Sequence, residues 1–157
     1  MRKIRVFCIA SLLLLTSTAL SQDRGFGAGI ILGEPTGISL KSWLQPTKAF
    51  DVAVAWSFEG ENSFTLHADY LNHNFGLIRV EKGRLPFYYG IGGRIKFEGD
   101  GAEGDDDPRV GVRVPLGLAY LVENVTLDLF VELAPILDLV PETEFRVHAA
   151  IGARYFF

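Results

Sequence analysis

The chain has 157 residues, enough for one domain, with a formal charge of −4 and 48% hydrophobic residues. Its only cysteine is Cys8, so the rest of the chain can form no disulfide, reactive thiol or Cys-ligated metal centre. The acidic balance makes nucleic acid a poor partner.

The first segment reads as a targeting signal. Arg2, Lys3 and Arg5 form a basic start, and Val6 to Leu20 is apolar apart from Ser and Thr. Ala19-Leu20-Ser21 places small residues at −3 and −1, so cleavage is expected before Gln22. Residues 1–21 are then the signal peptide and 22–157 the folded domain. The apolar run is shorter than the ~20 residues that a spanning helix needs. Losing Arg2, Lys3 and Arg5 takes the formal charge from −4 to −7.

Beyond the signal, apolar residues recur with period two, the mark of strands. The pattern predicts strands over 25–33, 36–44, 49–58 and 62–73, separated by Glu34-Pro35, Gln45-Pro46-Thr47-Lys48 and Glu59-Gly60-Glu61-Asn62. Asn74 to Arg84 either extends the fourth strand through a bulge or makes a long turn at Glu81-Lys82-Gly83-Arg84. A fifth strand runs from Leu85, where Phe87, Tyr89, Ile91, Gly93, Ile95 and Phe97 alternate with Tyr88, Gly90, Gly92, Arg94 and Lys96. The sixth starts at Arg109, the seventh at Val125 and the eighth at Phe145. Pro115 and Pro135 fall inside strands and should each mark a bulge or kink. The fold expected is all-β: an eight-stranded antiparallel up-and-down transmembrane β-barrel.

Alternation alone does not say which face is inside. The polar face carries Lys41, Asp51, Asp69, Arg94, Lys96, Arg109, Arg113, Asp128, Glu132, Asp138, Arg146 and Arg154, interspersed with glycines. Opposite charges with small neighbours could fill an eight-stranded interior, which is just wide enough for side chains. Glu132 and Asp128 should pair there with Arg113, Arg146 and Arg154. On the apolar face, Phe26, Phe50, Tyr70, Phe87, Tyr89, Tyr120, Tyr155 and Phe157 gather at one end. Trp56, Phe58, Phe64, Phe97 and Phe145 gather at the other, as two aromatic girdles would. With periplasmic termini, the long polar loop Glu98 to Pro108 lies outside the cell.

The ending Ala153-Arg154-Tyr155-Phe156-Phe157 resembles the C-terminal signature of outer-membrane barrel proteins. In that signature a terminal Phe follows alternating apolar residues and is read by the barrel-assembly machinery. Together with the signal and eight strands, the mature chain resembles the small OmpA/OmpX/OmpW-like barrels. That resemblance implies outer-membrane location, membrane lipid as surroundings and the assembly machinery as a partner through Phe157. It does not transfer a function.

Candidate chemistry is sparse. Ser63, Thr65, His67 and Asp69 share one face, so a Ser–His–Asp arrangement is conceivable; inert polar filling is the simpler reading. Glu98, Asp100, Glu103, Asp105, Asp106 and Asp107 crowd one loop without EF-hand spacing. Gly90-Ile91-Gly92-Gly93 lacks the Lys-Ser/Thr of a phosphate loop, and such glycines are expected to make room for Arg and Tyr side chains. No catalytic, cofactor or metal residues are assigned. The function expected is non-enzymatic, with a filled interior and loops for envelope or surface interaction. The alternatives are a lipid-modifying barrel enzyme and a soluble lipocalin-like carrier.

Overall fold

The computed structural model describes residues 24–34, 36–57, 63–98 and 107–157. The signal segment, the turn 58–62 and most of the acidic loop lie outside the described residues. The strands are β1 (Phe26–Gly33), β2 (Thr36–Gln45), β3 (Lys48–Ser57), β4 (Ser63–Asn74), β5 (Phe87–Glu98), β6 (Arg109–Arg113), β7 (Leu116–Leu121), β8 (Leu127–Val140) and β9 (Glu144–Phe156). All neighbours are antiparallel, and β1 pairs with β9, so the sheet closes. β6 and β7 are two halves of one crossing, both lying between β5 and β8. The ring therefore has eight staves, as the alternation predicts.

The two prolines do not act as expected. Gly92 opposes Arg113 and Tyr89 opposes Leu116, the same register on either side of the Val114–Pro115 gap. The register towards β8 is likewise unchanged there. Pro135 sits in an unbroken β8, opposite Val147. In an antiparallel pair a residue's N–H and C=O point to the same neighbour. The Pro135 carbonyl accepts from Val114 N at 2.9 Å, so its missing donor faces the gap. The Pro115 carbonyl accepts from Gly90 N at 2.9 Å, so its missing donor faces β5, and the two prolines leave adjacent ladders each one bond short at the same gap. The register shifts fall elsewhere, between Val110 and Gly111 and between Trp43 and Gln45.

The segment 75–86 also departs from the strand pattern. β4 ends at Asn74 without a bulge, and the chain continues at the end of the barrel that carries the termini. Phe75 packs on the inner cluster, and the Arg84 guanidinium lies 5.0 Å from its ring centre. Arg84 and Leu121 exchange backbone hydrogen bonds of 3.0 and 2.8 Å. Gly83 adopts φ +69, and a Cβ there would meet the Leu121 carbonyl. This connection is as long as the acidic loop at the other end, so loop length does not by itself orient the barrel.

The barrel is apolar outside and polar inside. Along β8, Leu129, Val131, Leu133 and Leu137 are exposed, whereas Asp128, Glu132 and Asp138 are buried. The same inversion puts Trp56 at 43% exposure and Lys41 at 0%. A soluble barrel would bury its leucines. Apart from the proline defect, the described strands pair on both sides around the closed ring, which is what a hydrocarbon environment demands.

Candidate functional site

Among the described residues, titratable groups converge in the polar lumen. It is built by alternation: every second residue of each strand points inward, and on these strands that residue is mostly polar, small or aromatic, with Ile31, Leu71, Leu121 and Ile136 the larger aliphatics among them. The aromatic girdle residues Phe26, Phe50, Tyr70, Tyr89, Tyr155 and Phe157 at one end, and Trp56, Phe64, Phe97 and Phe145 at the other, all point outward. Phe58 lies outside the described residues.

Towards the end carrying the termini, Trp43, His73, Tyr88, Leu121 and Phe156 are buried with Phe75 against them. Trp43 and His73 rings lie 4.4 Å apart, and His73 and Tyr88 rings 5.3 Å apart. The Lys41 ammonium lies 4.5 Å from the centre of the Trp43 ring and 2.9 Å from His73 Nε2. A charged Lys can only donate, so His73 Nε2 is the acceptor.

The middle of the lumen is an ion-pair network. Arg113 Nη2 donates to Glu132 Oε1 at 2.5 Å, and the Tyr88 hydroxyl donates to Glu132 Oε2 at 2.8 Å. Asp128 lies 3.5 Å from Lys41 and 3.8 Å from Arg154. Arg154 also donates to Ser39 at 2.8 Å and to Asp51 at 2.9 Å, and stacks 3.9 Å from the centre of the Phe130 ring. Further along, Arg94 grips Asp138 with Nε and Nη2 at 3.0 and 2.5 Å, a bidentate fork. Its Nη1 lies 3.1 Å from His148 Nε2. At the far rim, Arg109 joins Glu98 at 2.7 Å and Glu144 at 3.0 Å, and Lys96 joins Glu98 at 2.6 Å.

The expected pairs are partly as read. Arg113 takes Glu132, and Arg154 takes Asp128. Arg146 does not reach either: it lies 2.8 Å from Glu144 and 3.9 Å from Asp138. Lys41 as a partner of Asp128, and Tyr88 as a partner of Glu132, were not foreseen. Alternation places both on the inner face, yet partners across the lumen depend on stagger, which no local pattern encodes.

The glycines make room, though not for arginines. A Cβ on Gly117 would run into the Tyr88 ring, so the tyrosine lies flat over bare backbone. Gly92 sits likewise under the Asp69 carboxylate.

Ser63, Thr65, His67 and Asp69 all face inward along β4, but they do not assemble as a triad. Ser63 and His67 are four residues apart on one strand, roughly 13 Å at ~3.3 Å per residue. His67 Nε2 lies 3.9 Å from Asp69 Oδ2, too far for a hydrogen bond. His148 faces Arg94 rather than a serine. Asp69 Oδ2 instead lies 2.9 Å from Arg113 Nε. Of the acidic loop, Glu98 is held by Lys96 and Arg109, and 99–106 lie outside the described residues.

No family model matches the chain, and no curated protein matches it. Two solved structures are similar. The N-terminal β-barrel domain of Pseudomonas aeruginosa OprF superposes with a TM-score of 0.64 at 14% identity, covering 84% of this chain and 95% of that one. Neisserial surface protein A gives a TM-score of 0.52 at 12% identity, covering 84% of this chain and 93% of that one. At such identities the likeness speaks for fold. The closed ring of eight antiparallel staves, apolar without and charged within, is the fold of the small OmpA-like outer-membrane β-barrels.

Proposed function

We propose that this chain is a non-enzymatic protein of the bacterial outer membrane, a filled barrel whose external loops contact the envelope or another molecule at the cell surface. The observation that carries the reading is the lumen network. Lys41, Arg94, Arg113 and Arg154 are buried among carboxylates, and Trp43, Phe75 and Tyr88 pack across the end with the termini. A conducting barrel needs a clear path, and an enzyme needs a nucleophile beside its base; here the buried cations are held by carboxylates across the lumen. A carrier of an apolar ligand needs an apolar cavity, whereas this interior is ionic. With the lumen occupied, the loops are the surface left for recognition. One of the similar structures is by its name a surface protein, which agrees with that role.

The test joins localisation to lipid chemistry. The protein should fractionate with the outer membrane and migrate faster on a gel before heating than after. Lipids from a deletion strain should match those of the parent. A changed acyl pattern, restored by the wild-type chain but not by His67→Ala, would replace the proposal with an enzyme. Recovery as a soluble periplasmic protein would replace it with a carrier.

A further inference from the structure

Asp51 on β3 and Asp69 on β4 stand directly opposite one another in the ladder. Like charges in that position repel, and both are buried. His67 lies two residues along β4 on the same inner face. One ligand atom from each of Asp51, His67 and Asp69 falls within 4.8 Å of the other two.

These groups keep unspent ligand atoms, as Asp128 also does, and of these carboxylates only Asp51 and Asp69 face one another across a single ladder. Arg154 takes only Asp51 Oδ2. Arg113 Nε lies near Asp69 Oδ2 without making a hydrogen bond to it. Among the described residues, Asp51 Oδ1, both Asp69 oxygens and His67 Nδ1 have no hydrogen-bond partner. His73 and His148 also leave Nδ1 without a partner, but each sets its Nε2 against a cation, His73 on Lys41 and His148 on Arg94.

The charge inventory points the same way. Among the described residues, the buried ions are Lys41, Arg94, Arg113 and Arg154 against Asp51, Asp69, Asp128, Glu132 and Asp138. Carboxylates outnumber cations by one. Buried charges are paired or coordinate a metal, because an isolated one is too costly to leave.

We propose that Asp51, His67 and Asp69 form a divalent-cation site inside the barrel, with Zn²⁺ the ion of best fit. One imidazole nitrogen and two carboxylate oxygens suit zinc, which they bind at about 2.0–2.2 Å. Tetrahedral ligands at that distance lie roughly 3.4 Å apart, so the 3.9 Å between His67 and Asp69, and spacings of up to 4.8 Å among the three, have to close when the ion binds. Three protein ligands leave a fourth position for water, and zinc-bound water ionises readily. A bound hydroxide would bring this layer to neutrality. Calcium, which takes six to eight oxygens, finds too few here. Sequence spacing cannot reveal such a site, since Asp51 joins it from a separate strand.

The test uses the barrel purified from membranes in detergent and stripped with chelator. Zinc chloride is supplied to one portion after folding and to another during refolding from urea. Elemental analysis should find one zinc per barrel in at least one portion. Titration should show at least tenfold weaker binding for His67→Ala, with His73→Ala and His148→Ala like wild type. If His67→Ala loses its heat-modifiable migration, X-ray absorption on zinc-loaded wild type reads the ligands directly, with one imidazole among oxygens expected. Substoichiometric zinc in both portions, wild-type binding by folded His67→Ala, or an oxygen-only zinc sphere would overturn the site. So would an infrared signature of a protonated aspartate that persists with zinc present, since a proton would then meet the charge surplus.

Discussion

Replacing Glu132 with alanine removes two bonds at once. Arg113 loses its 2.5 Å partner, and the Tyr88 hydroxyl loses the oxygen 2.8 Å away. Neither group can turn to water, because Arg113 and Tyr88 are each only 1% exposed. Breaking a buried ion pair from one side typically costs ~3–5 kcal/mol. Arg113 keeps Asp69 beside it, which points to the low end, about 3 kcal/mol. With a urea dependence of about 1–3 kcal/mol per molar, that loss lowers the unfolding midpoint by roughly 1–3 M. Urea titration in detergent, read by heat-modifiable migration, measures it. Removing Arg113 as well should recover part of the loss, but not all, because Asp69 is then left without its cation. Adding Asp69→Asn to that double variant should recover more. Distant sites add to within ~0.3–0.5 kcal/mol. Strict additivity of Glu132→Ala and Arg113→Ala, or no loss in either, would mean that these charges are hydrated and the lumen is open.

Other perturbations probe separate parts of the barrel. Gly117→Val should force the Tyr88 ring off the wall and cost ~1–3 kcal/mol as overpacking; the same titration shows it, and an unchanged midpoint would deny the ring its place. Deleting Phe157, which is exposed and held by one backbone bond to Phe26, should reduce the barrel found in membranes while purified protein still refolds in detergent. Normal membrane levels would contradict its expected role in assembly. An epitope inserted at Gly101 should be reachable on intact cells; detection only after the outer membrane is opened would reverse the orientation.

Strand number and facing were legible in the sequence because both follow from one period. Leu129, Val131 and Leu133 alternate with Asp128, Phe130 and Glu132, so fixing one side fixes the other. Inversion was legible less directly, from aromatics gathered at both ends of the apolar face, since charges on one face suit the solvent side of a soluble wall as well. The defects were not. Whether Pro115 and Pro135 bend the sheet depends on which neighbour each nitrogen faces, and here both fall at one interruption. Phe75 and Arg84 lie in a segment without periodicity, so their packing at the barrel end left no pattern to read. Partners across the lumen were the hardest. Arg146 looked as good for Glu132 as Arg113 did, and only stagger separates them. The opposition of Asp51 and Asp69 depends likewise on the register set across 58–62.

The chain contains just two tryptophans, and they stand on opposite sides of the wall. Trp43 is 8% exposed, packed on His73 inside the barrel, while Trp56 is 43% exposed on the outer face. Trp43→Phe and Trp56→Phe each leave a single fluorophore. Reconstituted in vesicles of brominated lipid, the variant retaining Trp56 should be strongly quenched and the one retaining Trp43 hardly at all. Quenching of Trp43 with Trp56 untouched would place the charged face against lipid and contradict the inside-out barrel on which everything above depends.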